Sequence, residues 1–304
     1  MRDNAEWRTL LLAGVCYAVW LLLTFGWLDL PFAARILLLI PIITLHSSLQ
    51  HEVLHGHPFR NQTLNDLMMT PPIGILVPYQ RFKACHLAHH INETITDPYD
   101  DPESYYLDPE VWDQKAKWLK TLLLANNTLL GRMTLGPALA TVGFMRAEWS
   151  RIRGGDRKLG GIWVRHLAAV SLILLLVSRF GSLSAAEYFL AAYFGMGLLM
   201  VRSFLEHQAV DKTNARSVII ESRGPLSMLF LNNNLHSVHH AYPSLAWYRL
   251  PAFFRLNRER FMRMNGGYRF ASYFDVFRRY ALKPKEPVAW PLDRDKLRRR
   301  RDQP

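Results

Sequence analysis

The chain has 304 residues, half of them apolar, and a formal net charge of +12. That length allows one large domain or two small ones with ample core, and two cysteines outside any Cys-X-X-Cys spacing exclude a disulfide framework. The charge is uneven: apolar blocks carry almost none and the run from Arg294 to Arg301 carries much, which points to an anionic membrane surface rather than nucleic acid, since no nucleic-acid motif accompanies it.

No charge occurs between Arg8 and Asp29, a span close to the roughly 20 residues that a bilayer crossing needs, so residues 9–28 are expected to form a retained membrane helix, not a cleaved leader. After Pro31, residues 32–50 read as the returning helix, apolar at first and polar on the approach to His51. Pro71-Pro72 breaks the following apolar segment, which is left able to dip partly into the bilayer. "KWLKTLLLANNTLLGRMTLGPALATVGFM" is interrupted by Asn126, Asn127 and Arg132, and an interfacial helix is expected there instead of another crossing.

Residues 161–180 and 185–203 read as a second hairpin turning near Gly181. Two hairpins put both termini and the long polar stretches, 51–160 and 204–304, on one side. Lysine and arginine crowd those stretches, so that side is expected to be cytoplasmic, in a bacterial inner membrane. The expectation is an all-α integral membrane bundle, about four transmembrane helices in two hairpins with a cytoplasmic helical cap, forming a single domain over 1–304. Asn61, Asn92 and Asn126 head Asn-X-Thr triplets, which mean nothing on a cytoplasmic face.

His51-Glu52-Val53-Leu54-His55 reads as the His-Glu-X-X-His pattern of zinc proteases, where two histidines hold the metal and the glutamate is general base. The rest of the chain favours another metal site. Eight of the twelve histidines fall into three groups: His51 and His55; His86, His89 and His90; His236, His239 and His240. The last two groups are both His-X-X-His-His, a pattern expected by chance only about 0.02 times in such a chain. Positions i, i+3 and i+4 share a helix face, so each group aims its imidazoles into one space. Eight imidazoles are too many for one tetrahedral zinc, and two metal ions fit; imidazole suits iron, copper, nickel and zinc alike.

"HEVLH", "HLAHH" and "HSVHH" are similar to the three histidine boxes of the membrane fatty acid desaturase superfamily, which also includes hydroxylases, conjugases and carotenoid ketolases. The resemblance runs from about His46 to Pro251, and "NNNLHSVHHAYPSLAWYRLP" is much like the family's third-box region. It implies a cytoplasmic-facing centre of two Fe2+ ions that uses O2 above a hydrophobic substrate tunnel. The eight box histidines are then the ligands, and His207 in "RSFLEHQAV" is a ninth, because similar members place an extra histidine between the last membrane helix and the third box. His46, His57 and His166 fit less well.

Metal-bound imidazoles usually donate their other N–H to a carboxylate or carbonyl. Glu52, Glu206 and the acidic run with Asp97, Asp100 and Asp101 are available for this, as are Asn232 and Asn233 before the third box. Arg81 and Lys83 are candidates to meet a polar or anionic substrate head, or to lie on a solvated loop face.

The expected reaction is O2-dependent desaturation of a fatty acyl chain. Removal of a first hydrogen leaves a carbon radical whose fate separates desaturation from hydroxylation, so a hydroxylase or carotenoid ketolase is the alternative, and a zinc intramembrane protease the distant one. With no haem-binding His-Pro-Gly-Gly stretch, a separate electron donor of ferredoxin or cytochrome b5 type, with its reductase, is expected as partner beside the lipid substrate and the membrane.

Overall fold

The computed structural model describes residues 6–26, 28, 30–91 and 94–292. The basic run at 294–301 and the Asn92 triplet lie outside the described residues. Helix makes up 63% of the chain and strand 3%, so the fold is all-α. In chain order the helices are α1 (Trp7–Thr24), α2 (Phe32–Leu54), α3 (Gln62–Met69), α4 (Tyr79–His89), α5 (Pro109–Asp113), α6 (Lys117–Asn126), α7 (Leu129–Thr134), α8 (Gly136–Arg153), α9 (Arg157–Phe180) and α10 (Ala185–Ser203). Then come β1 (Ile219–Ile220), α11 (Pro225–Leu229), α12 (His236–Ala241), α13 (Leu250–Leu256), α14 (Arg258–Met264), β2 (Arg269–Phe270) and α15 (Tyr273–Tyr280). The chain divides into two compact units, one of Met1–Lys83, Leu135–Met200 and Leu229–Leu231, the other of Ala84–Thr134, Val201–Met228 and Asn232–Pro304.

The first unit is built on the long apolar helices. Leu23 of α1, Ile36, Leu39 and Ile43 of α2, Val177 of α9 and Tyr188 of α10 pack into one core. The loop after Pro71-Pro72 adds Ile73, Ile75 and Leu76 to the same core. Its backbone is served there by side chains: the Tyr188 hydroxyl donates to the Ile73 carbonyl (2.9 Å) and accepts from Trp20 Nε1 (2.9 Å). Small size lets α10 lie close on α2. A Cβ at Gly195 would stand 2.9 Å from Ile43 Cγ2, and Thr44 Oγ1 reaches the Gly195 carbonyl at 2.9 Å.

Three helices, α1, α2 and α9, are long and apolar enough to cross a membrane. Only 11% of the apolar window of α9 is buried, and Val164, Leu172 and Leu175 are each more than half exposed. Such a surface suits lipid as its solvent. The 19-residue α10 is not among the three, because Glu187 in its first turn and Arg202 in its last dilute an otherwise apolar helix.

Two boundaries differ from the sequence reading. Helix α2 runs on to Leu54 instead of ending near 50, since nothing between Gln50 and Leu54 breaks it, and so carries His51 and Glu52. The segment read as one interfacial helix is three helices, α6, α7 and α8. It breaks at Asn127, whose side chain donates to the Glu286 carbonyl, and again beside Pro137 at the start of α8.

In the second unit, short helices surround a parallel pair, with Ile219 opposite Arg269 and Ile220 opposite Phe270. Ile219, Leu235, Val238, Leu250, Phe254 and Phe261 form its core. Val238 faces that core from α12, which leaves His236, His239 and His240 on the other side of the same turn. The Ser237 N–H to Val218 carbonyl bond (3.0 Å) and the Ile220 N–H to Asn234 carbonyl bond (2.8 Å) tie the helix start to the strand.

Candidate metal centre

Helix α4 ends on the second histidine group and α12 begins on the third, so each group spans about one helical turn. His207 lies in the stretch after α10, bridged to Ser217. His86, His89, His207, His236, His239 and His240 are all buried, and His90 is half-buried.

Four of these rings converge. His89 Nε2 is 2.8 Å from His207 Nε2, which is 3.0 Å from His236 Nε2, which is 3.1 Å from His240 Nε2. Two outer nitrogens donate outward, His89 Nδ1 to Asp101 Oδ1 (2.8 Å) and His236 Nδ1 to Asn233 Oδ1 (3.2 Å), whereas His240 Nδ1 has no hydrogen-bond partner among the described residues. Asn233 in turn donates through Nδ2 to Glu206 (2.7 Å), and Arg202 pairs with the same carboxylate (3.0 Å). His207 Nδ1 meets Ser217 Oγ at 3.3 Å.

A neutral imidazole whose Nδ1 carries the proton presents a lone pair at Nε2. Here several such lone pairs point at one another in a dry space, which is unfavourable unless a cation lies among them. Burial first, and then the neighbouring rings, hold His207, His236 and His240 well below the ordinary histidine range, so they stay in the neutral form that ligates metals. At His89 burial also opposes charge, yet Glu103 and Asp101 outweigh it and lift the ring to about 9. The carboxylates thus favour positive charge at this cluster, and the four residues fit a metal ion.

A second group stands in the same unit. His90 Nε2 is 3.0 Å from His86 Nε2 and 3.2 Å from His239 Nε2, and His86 Nδ1 donates to Glu103 Oε1 (3.0 Å). Burial, with His86 and His89 nearby, lowers His90 to about 3, again the ligating form. These three nitrogens also lie close enough together to hold a metal ion.

In the first unit, His51 and His55 stand one turn apart at the end of α2 with ring centroids 5.2 Å apart. Glu52 is buried beside them, its Oε1 3.8 Å from His57 Nε2, while His57 Nδ1 bonds Glu6 Oε2 at 2.9 Å. The two carboxylates address opposite nitrogens of His57, an arrangement that clasps the start of α1 to the end of α2.

The remaining site candidates have other partners. Asp97 accepts the Tyr99 and Asp100 N–H groups (2.9 and 3.2 Å) and shapes the acidic loop. Asn232, at φ 57°, donates to the Trp247 carbonyl (3.0 Å). Arg81 makes a two-pronged pair with Glu148 (2.7 and 2.9 Å), and Lys83 pairs with Asp66 (2.7 Å).

Sequence reasoning did not single out Glu103, Arg202, Ser217, Tyr105 or Lys285. Tyr105 OH donates to the His207 carbonyl (3.2 Å), and Lys285 Nζ donates to that carbonyl and to the Tyr105 hydroxyl. Glu103 ends the acidic run that begins at Asp97, two residues after Asp101; the others carry no local signal.

A fatty acid desaturase family model matches residues 25–272, which include every histidine group. No curated protein matches the chain.

Proposed function

The chain belongs to the fatty acid desaturase family, an oxidoreductase superfamily, and from that premise we propose that it desaturates a fatty acyl chain with O2 at a centre of two iron ions. The observation that carries the reading is the convergence of the His89, His207, His236 and His240 Nε2 atoms in a buried space. These four would hold one ion, and His86, His90 and His239 the other; His51 and His55 remain ligands that the family resemblance implies. Iron, when bound, supplies the O2 chemistry, in which two C–H hydrogens of the substrate and two electrons and two protons from outside reduce O2 to two waters and leave a double bond.

The chain's own residues set the conditions for that chemistry. Asp101 and Asn233 fix the tautomers of His89 and His236 by accepting the Nδ1 protons, and Glu103 does so for His86. Lys285 and Tyr105 hold the His207 backbone, so this ligand does not depend on a helix for its position. Burial of the tetrad keeps water from competing for its nitrogens. Helices α9 and α10 form the second membrane hairpin, the histidine groups face the cytoplasm, and a separate ferredoxin or cytochrome b5 type donor delivers the electrons.

Expression of the chain in a bacterium supplied with iron and a ferredoxin system, with His239→Ala as control, tests the proposal through the fatty acid profile by gas chromatography with mass spectrometry. A new unsaturated acid in the wild type alone is the expected result. A hydroxy acid would move the chain to the hydroxylases of its family, and an unchanged acyl profile with iron-loaded protein would remove acyl chains as substrate.

A further inference from the structure

The second unit has a strongly basic surface on α13 and α14. Between residues 249 and 269 the chain carries six arginines against one acid, Glu259, and every one of the six is exposed. The two helices meet at Asn257, where an open hollow of about 470 Å³ is bordered by Arg255, Arg258, Arg260 and Arg263. Arg258 and Arg269 share Glu221. Arg263 lies 3.6 Å from Glu259, but both side chains are more than 70% exposed and water weakens the pair. Arg249, Arg255 and Arg260 have no carboxylate partner among the described residues. At the border of the same hollow, Leu256 is 85% exposed. An apolar tip inside a charged rim has the anatomy of a protein interface.

What lies beneath this surface ties it to the third histidine group. Phe253, one turn before Leu256, sets its ring edge-on to Tyr242 with centroids 4.8 Å apart, and Arg260 lies 6.0 Å from the centroid of the same Tyr242 ring. Tyr242 caps α12, and its N–H donates to the His239 carbonyl at 3.1 Å. Phe254 and Phe261 share a core with Val238, the residue before His239. Electron transfer falls off steeply with distance and passes better through packed and hydrogen-bonded atoms than across gaps. The series Leu256, Phe253, Tyr242 and His239 provides such a route from the arginines to a metal-ligand candidate. A bilayer suits this surface less well: an interfacial helix needs a broad apolar face, and between 249 and 269 Leu256 is the one large apolar side chain that is exposed.

We propose that the surface of α13 and α14 around Leu256 is the docking site of an acidic one-electron donor protein. Donor carboxylates pair with Arg255, Arg260 and Arg263, and apolar atoms beside the donor's cofactor cover Leu256. Opposite charge steers the encounter, and a small interface releases the spent donor quickly, as a carrier that must exchange requires. Each docked donor gives up one electron: its cofactor is oxidised as one ferric ion of the centre becomes ferrous, and two encounters supply the two outside electrons of the reaction. The proposal rests on the reading of the chain as an oxidoreductase fed by a separate donor. Docking is measured without acyl substrate, so its failure leaves desaturation standing, and an unchanged fatty acid profile leaves docking standing.

Biolayer interferometry of the full iron-loaded chain in phosphatidylcholine nanodiscs at low ionic strength tests it, with a plant-type ferredoxin and the soluble domain of cytochrome b5 as probes. At least one probe binds, and the binding weakens with added salt. Arg255→Glu with Arg260→Glu weakens it by about tenfold or more, whereas the same charge change in the first unit, Arg153→Glu with Arg157→Glu, leaves it within about twofold. Iron content is the same in both variants. Arginine modification by phenylglyoxal, read by mass spectrometry, locates the contact: Arg255 and Arg260 react in the free chain and are protected by the bound probe. Binding by neither probe, or equal weakening by the two double variants, overturns the proposal. Protection of Arg255 and Arg260 by phosphatidylglycerol nanodiscs in the absence of a probe also overturns it and assigns the surface to the bilayer.

Discussion

The two histidine clusters of the second unit use the same residue in different surroundings. In the tetrad all four rings are buried, and the carboxylate behind His89, Asp101, has a side chain 2% exposed. In the trio His90 is half-buried, and the carboxylate behind His86, Glu103, is 29% exposed. Water competes with His86 for Glu103 in a way it does not compete with His89 for Asp101. Histidine count alone therefore does not fix how firmly a metal is held; the dryness of the group behind each ring does.

That contrast can be broken or sharpened by substitution. The largest effect is expected from ligand removal: His207→Ala and His239→Ala each lower product formation by more than about 100-fold, beyond the 10–100-fold typical of an outer partner. Product measured at saturating iron checks this, and activity retained in either variant would remove that residue from the centre. Next come the carboxylates. Asp101→Asn lowers iron affinity toward the upper end of about 10–100-fold and Glu103→Gln toward the lower end; equal losses in a chelator competition would erase the distinction between the clusters.

A smaller effect is expected at Ser217, which makes one neutral bond to His207 at 3.3 Å. Ser217→Ala is expected to weaken iron binding by less than about tenfold, as a net neutral hydrogen bond is worth about 1 kcal/mol. The smallest belongs to Lys83→Met. Its pair with Asp66 is partly exposed and contributes about 0–1 kcal/mol to stability, and KM stays unchanged. A raised KM would return Lys83 to the substrate head.

The sequence made the periodic features of the molecule readable, and the structure shows why other features were not. His86, His89 and His90 announce themselves through helical spacing, as does the uncharged run of α1. His207 has no such pattern around it; its resemblance to an extra family ligand suggested it, while its position comes from Tyr105 and Lys285, about 80 to 100 residues away in sequence. Long-range contacts of this kind leave no local trace. Asp101 and Glu103 differ in burial, which an acidic run does not reveal, and the sequence reading named Asp101 without Glu103. The break in the segment from Lys117 to Met145 follows from Asn127 binding the Glu286 carbonyl, again a distant partner. Pro41 lies inside α2, in keeping with the reading of residues 32–50 as one helix.

The most direct test of the central claim is the iron content of the purified chain, counted per polypeptide by plasma mass spectrometry, for the wild type, His207→Ala and His239→Ala. Two irons in the wild type and about one in each variant are predicted. A single metal ion per wild-type chain, or zinc in place of iron, would contradict the assignment of the tetrad and the trio to two iron ions.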